Sequence, residues 1–294
     1  VEVRAVNVVY GESMVAQLYH RGSFSPSMYK PGELVGYLQK RGYAMTLHQP
    51  PALTRAQLSL AHHPEYVDDI LECREYNGFS DKDPCIAATL PYTSGSLYQA
   101  ALLSFQHRIA ASFSSGFHHA HYERAGGFCT FNGLVVTAQL LHQEGRIQRL
   151  LILDLDCHYG DGTDELLGRH GMDYVRHETG GAYFRDASDS DRYLSYVESV
   201  MRSLATERVD AILYQAGADV HVDDPLGGLL TTEQMATRER LVFEAAHRLE
   251  IPIAWNLAGG YQRDANNSIE PVLRLHEQTY RIAQEIYGAG PQSS

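Results

Sequence analysis

Cysteine is scarce in this chain of 294 residues: there are four, Cys73, Cys85, Cys129 and Cys157, and no CxxC pair among them. That excludes a disulfide framework for a protein of this size and suits a reducing compartment. Cys129 and Cys157 fall inside motif segments, where small buried packing residues are the expected reading. Long apolar runs are also missing, so no segment reads as membrane-spanning, and the residues from Val1 onward read as a strand rather than an export signal. A soluble, cytoplasmic protein is expected. Positive charge is in deficit, 24 Lys and Arg against 36 Asp and Glu, a net −12. Broad binding to a phosphate backbone needs the opposite balance, so no nucleic-acid partner is expected, whereas a cationic lysine-like or polyamine substrate is compatible with it.

No linker, repeat or low-complexity tract divides the chain. Residues 1–287 read as one domain and 288–294 as a flexible tail. Val3 to Tyr10 and Ala44 to His48 are predicted strands. Capping-box patterns at Thr54 with Gln57 and at Thr231 with Gln234 mark helix starts. Apolar residues at helical spacing predict helices over Ser96 to Ala110, Gly133 to His142, Tyr193 to Leu204 and Val272 to Ile286. Between them lie apolar runs without polar alternation, Leu150 to Leu155, Ala211 to Gln215 and Ile251 to Asn256. Such runs suit strands covered on both faces. The alternation predicts an α/β fold in three layers, a central and mainly parallel sheet flanked by helices. In sheets of this kind, sites form beyond the carboxyl ends of the strands.

Those ends carry the polar residues. The run LLILDLDCHYGDGT (150–163) leads from an apolar strand into Asp154, Asp156, His158 and Asp161. Strand alternation points Asp154, Asp156 and His158 to one face. Burying three such groups without a cation costs roughly several kcal/mol, so the face is a candidate metal site; the alternative is a strand end with solvated acids. AGAD puts Asp219 at a second strand end as a third ligand candidate, although a turn residue is the plainer reading, and DPLGG after it is a turn. Three ligands leave a position open, as catalytic centres do, and an N/O set without thiolate admits zinc, iron or cobalt. Upstream, His118 and His119 are adjacent in a Gly-rich loop; they suit proton transfer, with Asp154 and Asp161 left to orient them. Two exposed loop histidines are the alternative in a chain with fifteen. WNLAGGY ends a strand in Tyr261, placed to donate to an oxyanion, although among nineteen tyrosines packing is the commoner role.

Taken together, HHAHYERAGGFCTFNG, ILDLDCHYGDGT, QAGADVHVDDPLGG and LAGGY, with AHHPEYVDDIL near the start, resemble the histone deacetylase family, including its bacterial acetylpolyamine and acetoin-utilisation members. The resemblance covers most of the chain and implies an arginase/deacetylase-like architecture. It implies a zinc ion (Fe2+ or Co2+ as substitutes) on Asp156, His158 and Asp219. It makes His119 the general base and acid and His118 its electrostatic partner, oriented by Asp161 and Asp154 respectively. Tyr261 would donate to the substrate carbonyl. Phe128 and Leu226 would line an acyl-lysine tunnel, and the Gly127 carbonyl would accept from the substrate amide. A structural potassium ion at the backbone carbonyls of Asp154, Asp156 and His158 is implied as well.

The implied activity is removal of acetyl or another acyl group from an acylated lysine or polyamine, and homo-oligomers are compatible with it. Two other readings are an arginase-like ureohydrolase, which needs two manganese ions and more bridging aspartates, and an inactive acyl-lysine binding protein. The chain departs from the family over Arg176 to Ser190, which is short, lacks the YPGTG-like turn, and is expected to leave out a strand. A potassium-holding serine is missing near Val175. The rim aspartate falls on Thr89 or Leu90, with Asp81 and Asp83 as expected substitutes.

Overall fold

The apolar runs at Leu150 and Ala211 are strands because each residue in them has an apolar layer to enter, above or below one sheet. The computed structural model describes residues 5–16 and 24–288. Strand β1 (Val6–Val9) and helix α1 (Lys30–Lys40) lead to β2 (Met45–His48), then to short helices α2 (Arg55–Leu58), α3 (Pro64–Leu71) and α4 (Pro84–Ala87). Helix α5 (Leu90–His107), β3 (Ile109–Ser112), α6 (Gly133–Gln143), β4 (Leu150–Asp154), α7 (Asp161–Arg169) and β5 (Val175–Thr179) follow. The chain continues through α8 (Ser190–Ser203), β6 (Ala211–Gly217), α9 (Thr232–Arg248), β7 (Ile253–Ala258) and α10 (Glu270–Gly288). The strands form a single sheet in the order β2-β1-β3-β7-β6-β4-β5, and every pairing is parallel.

Side chains alternate across the strands and so divide the interior into two cores. Leu151, Leu153, Ile212, Tyr214, Ile253 and Trp255 join residues of α1, α8, α9 and α10 on one face. Leu150, Ile152, Ala211, Leu213 and Ala254 join α3, α5 and α6 on the other. Both faces are covered, which is why these strands are apolar throughout. The capping boxes form at Thr54 and Thr231, each hydroxyl accepting from the backbone N–H of the Gln three residues on.

One expectation is corrected. The helix predicted over Ser96 to Ala110 starts earlier, at Leu90, and stops at His107; Arg108 turns with φ +70°, and Ile109 and Ala110 belong to β3. After β5, which pairs along the full length of β4 at the sheet edge, the shortened segment passes through two single turns, Gly180–Ala182 and Ala187–Asp189, into α8 with no further strand. The expected parallel sheet is present, and every pairing among the described strands is parallel. Of the expected tail, Gly288 closes α10 and the remainder lies outside the described residues.

One buried side chain ties the helical layer to the strand ends. Arg238 of α9 is fully buried and donates to the carbonyls of Leu155, at 3.1 Å, and Gly217, at 2.8 Å, just beyond β4 and at the end of β6. Glu239 balances its charge at 2.5 Å and also accepts from Tyr214 (2.6 Å) and Thr279 (3.1 Å). Removing one partner of such a pair strands the other charge in the core. Arg238→Met is therefore expected to cost about 3–5 kcal/mol in urea unfolding, and the double variant Arg238→Met/Glu239→Leu distinctly less. Equal costs for the two would refute this role.

Candidate metal centre

Four adjacent strands, β3, β7, β6 and β4, deliver the site from their carboxyl ends. Beyond β4, which ends at Asp154, successive carboxylates turn the backbone. Asp154 Oδ1 accepts from the N–H of Asp156 at 3.2 Å, and Asp156 Oδ1 from the N–H of His158 at 2.9 Å. This Asx-type turning, rather than strand alternation, places Asp156 and His158. Asp154 faces elsewhere, toward His118. Asp219 arrives from the end of β6, and Gly217 permits it, since a Cβ there would collide with the backbone of Asp156.

One ligand atom each from Asp156, His158 and Asp219 lies within 4.8 Å of the others. His158 Nδ1 is 3.0 Å from Asp156 Oδ1 and 3.0 Å from Asp219 Oδ2. Both carboxylates are buried and the imidazole is partly open. Burial and the charge of Asp156 push Asp219 up to about 7, whereas hydrogen bonds to both acids hold His158 at about 11. Burial alone would raise Asp156, yet the imidazoles of His118 and His158 hold it well below the usual carboxylate range. Two buried acids converging on one imidazole nitrogen fit a divalent cation, and the all-N/O donor set with an open fourth position fits zinc in a reactive rather than a structural site. Among the described residues this is the one such group.

Beside it stand two imidazole–carboxylate pairs. His118 Nδ1 lies 2.7 Å from Asp154 Oδ2, and His119 Nδ1 lies 2.6 Å from Asp161 Oδ1. Burial opposes charge on His118, but Asp154 and Asp156 overcome it and hold the ring up at about 9. Burial and the neighbouring His118 push His119 down. The loop carrying both is pinned by buried His62, whose Nδ1 bonds the His121 carbonyl at 2.8 Å and whose Nε2 accepts from the N–H of Asn132 at 2.8 Å.

Tyr261 leaves β7 through Gly259 (φ +50°) and Gly260 (φ +90°). Only glycine suits position 259, because a Cβ would overlap the Asp219 carboxylate. Asp224 Oδ2 accepts from the Tyr261 N–H at 2.7 Å, so the DPLGG turn anchors this residue. Fully buried Lys30 donates to the Gly259 carbonyl; burial lowers its amine to about 8 against the pull of Asp219, Asp156 and Asp224. Phe128 sits at φ +62° after Gly127, whose own Cβ would strike the His119 ring. Phe128 and Tyr261 lie 5.6 Å apart between ring centroids, and half-exposed Phe24 stacks on Tyr261 at 5.6 Å. Leu226 is exposed.

The expected site residues thus lie at one end of the sheet, with Phe24, Asp224, Lys30 and Arg238 as additions that sequence reading missed. Asp224 was visible only as part of a turn, and the other three lie outside the motifs. Of the residues expected near the rim, Asp83 caps α4 through the N–H of Cys85, Asp81 accepts from the N–H of Asp83, and Thr89 and Leu90 are buried. All four cysteines are free thiols.

A parallel α/β sheet with an open Asp–His–Asp centre at its carboxyl edge defines the class of protein. The chain belongs to the histone deacetylase family, whose domain model matches residues 27–172 and 170–274. An uncharacterized protein of Picosynechococcus is 29% identical over 262 residues, 82% of this chain and 86% of that one. The acetoin utilization protein AcuC of Staphylococcus aureus is 30% identical over 229 residues, 63% of this chain and 58% of its own. Histone deacetylase 2 of Arabidopsis thaliana is 27% identical over 189 residues, 58% of this chain and 49% of its own, so the chain spans about half the length of these last two. Among solved structures, the HD domain of HDA15 superposes with a TM-score of 0.76 at 18% identity, covering 97% of this chain and 91% of that one. The acetylpolyamine aminohydrolase of Burkholderia pseudomallei superposes at 0.71 and 18%, covering 96% and 99%. No helix among the described residues is long and apolar enough to cross a membrane.

Gly259→Ala should displace the Asp219 carboxylate and weaken zinc binding at least about 10-fold in competition with a chromophoric chelator. Unchanged affinity would remove Asp219 from the ligand set.

Proposed function

We propose that this domain hydrolyses the amide bond of an acylated amine, an acyl-lysine or an acylpolyamine, with Asp156, His158 and Asp219 holding zinc. The observation that carries the proposal is the pair of adjacent imidazoles, each on its own carboxylate, facing those three residues. When bound, zinc would polarise the amide carbonyl and lower the pKa of water.

The chain's own groups divide the proton work. His119 carries its hydrogen on Nδ1 toward Asp161, which leaves Nε2 as the basic atom. Its side chain is 21% exposed against 5% for His118, so it is the imidazole a substrate can reach. Its lowered pKa keeps it neutral near pH 7, able to take a proton from water and pass it to the departing amine. His118, held up at about 9, stays charged and contributes a fixed positive field. Burial and nearby acids push Tyr261 well above the usual phenol range, so it keeps its hydrogen and donates it to the carbonyl oxygen as negative charge develops there. The rings of Phe24, Phe128 and Tyr261, with Leu226, suit a slender methylene stem, and the Gly127 carbonyl is assigned to the substrate N–H.

No step runs through the potassium ion that the family resemblance implies; His177, its side chain enclosed and its Nε2 3.9 Å from Asp154 Oδ2, already sets a basic side chain beside that carboxylate. The ureohydrolase reading needs a second metal, and the described residues offer ligands for one.

A panel of acyl-lysine peptides and acylated polyamines tests the reaction. Tyr261→Phe is expected to lower kcat by about 10²–10³-fold, as loss of an oxyanion donor does. His119→Ala should lose comparable activity while zinc content stays at one per chain. Native, zinc-loaded protein that leaves every substrate intact would defeat the proposal in favour of an acyl-lysine binding protein.

A further inference from the structure

Asp161, the carboxylate behind His119, is held differently from its counterpart. Asp154 is fully enclosed, whereas the side chain of Asp161 is 44% exposed. A half-solvated carboxylate cannot fix an imidazole unless something fixes the carboxylate. Its Oδ1 is occupied by His119 and by the N–H of Gly162 at 2.9 Å. Its Oδ2 meets a third histidine of the HHAHY segment, with His121 Nε2 at 3.5 Å.

His121 is itself clamped. Its Nδ1 is hydrogen-bonded to Glu165 Oε2, and the other Glu165 oxygen accepts from the N–H of Tyr122 at 3.4 Å. The guanidinium of Arg124 stands 3.3 Å from the same Nδ1. The His121 carbonyl takes the hydrogen of buried His62. The side chain is 7% exposed, so burial restricts it to this orientation. Asp161 and Glu165 are one turn apart on α7 and therefore share a face. The first turn of α7 packs on the histidine loop: a Cβ at Gly162 would collide with the carbonyls of His118 and Ala120, and the Thr163 N–H donates to the His118 carbonyl at 3.0 Å. His119 and His121 on the loop thus alternate with Asp161 and Glu165 on the helix.

We propose that His121, backed by Glu165, is a positioning residue that fixes the Asp161 carboxylate and through it the tautomer and orientation of His119. Its consequence for turnover rests on the deacylase reading above; its consequence for His119 does not. His121 reaches no reacting atom and acts only through Asp161.

The test uses zinc-loaded His121→Ala, His121→Gln and Glu165→Gln proteins. In histidine 15N NMR spectra, His119 of the native protein should hold one tautomer, with hydrogen on Nδ1, and should become a mixture in His121→Ala. With the amide substrates, His121→Ala should lower kcat about 10-fold, leaving KM and zinc content unchanged. His121→Gln, whose side-chain amide can donate to the Asp161 carboxylate, should recover part of the loss, and Glu165→Gln should show a smaller loss of the same kind. An unchanged His119 tautomer in both His121→Ala and Glu165→Gln overturns the proposal, as does a kcat loss matched by falls in melting temperature and zinc content without a tautomer change. Should the native protein hydrolyse no substrate, the deacylase reading fails, and the NMR result still decides whether His121 positions His119.

Discussion

Two buried carboxylates aimed at one imidazole are the constraint around which this domain is arranged. Asp156 and Asp219 converge in surroundings where neither is well solvated, burial and the charge of Asp156 pushing Asp219 up to about 7, and a cation held between them and His158 would turn that repulsion into binding. Much nearby structure keeps the carboxylates close. Gly217 lets the end of β6 lie against the backbone of Asp156, and Gly259 leaves room for the Asp219 carboxylate. Arg238 holds the carbonyls of Leu155 and Gly217 from below. A rigid sheet supplies the rest, since β4 and β6 are hydrogen-bonded neighbours, paired from Leu150 and Ala211 to Asp154 and Gln215.

The proposed chemistry rests on how unequally the surrounding groups are buried. His118 and its carboxylate are enclosed and charged, whereas His119 is reachable and driven toward neutrality by its neighbour. In the proposed reaction two identical side chains, adjacent in sequence, thereby divide into a fixed charge and a proton carrier. Tyr261 completes the arrangement from a third strand end, and the Asp224 turn holds its backbone.

Much of this was legible in the sequence, for identifiable reasons. Strands β4, β6 and β7 sit inside two apolar layers, so their composition announces them, and the capping boxes at Thr54 and Thr231 mark helix starts by local hydrogen bonding alone. The candidate metal ligands stand immediately after such strands and share the motifs. Strand β3 was obscured because Ile109 and Ala110 continue the apolar pattern of α5, and the break at Arg108 is a left-handed residue without a glycine to signal it. Strand β5 was obscured because it lies at the sheet edge, is only partly buried, and consists of Val175, Arg176, His177, Glu178 and Thr179. Arg238, Lys30 and Phe24 were invisible for a different reason: they approach the site from distant elements, and only tertiary structure shows what they touch.

X-ray absorption at the zinc edge of the metal-loaded protein addresses the central claim most directly. The account predicts one zinc per chain, with one imidazole and only oxygen otherwise, at roughly 2.0–2.2 Å. A sulfur shell near 2.3 Å, which would bring in Cys157, or a second metal scatterer at about 3.5–4 Å, would contradict the account.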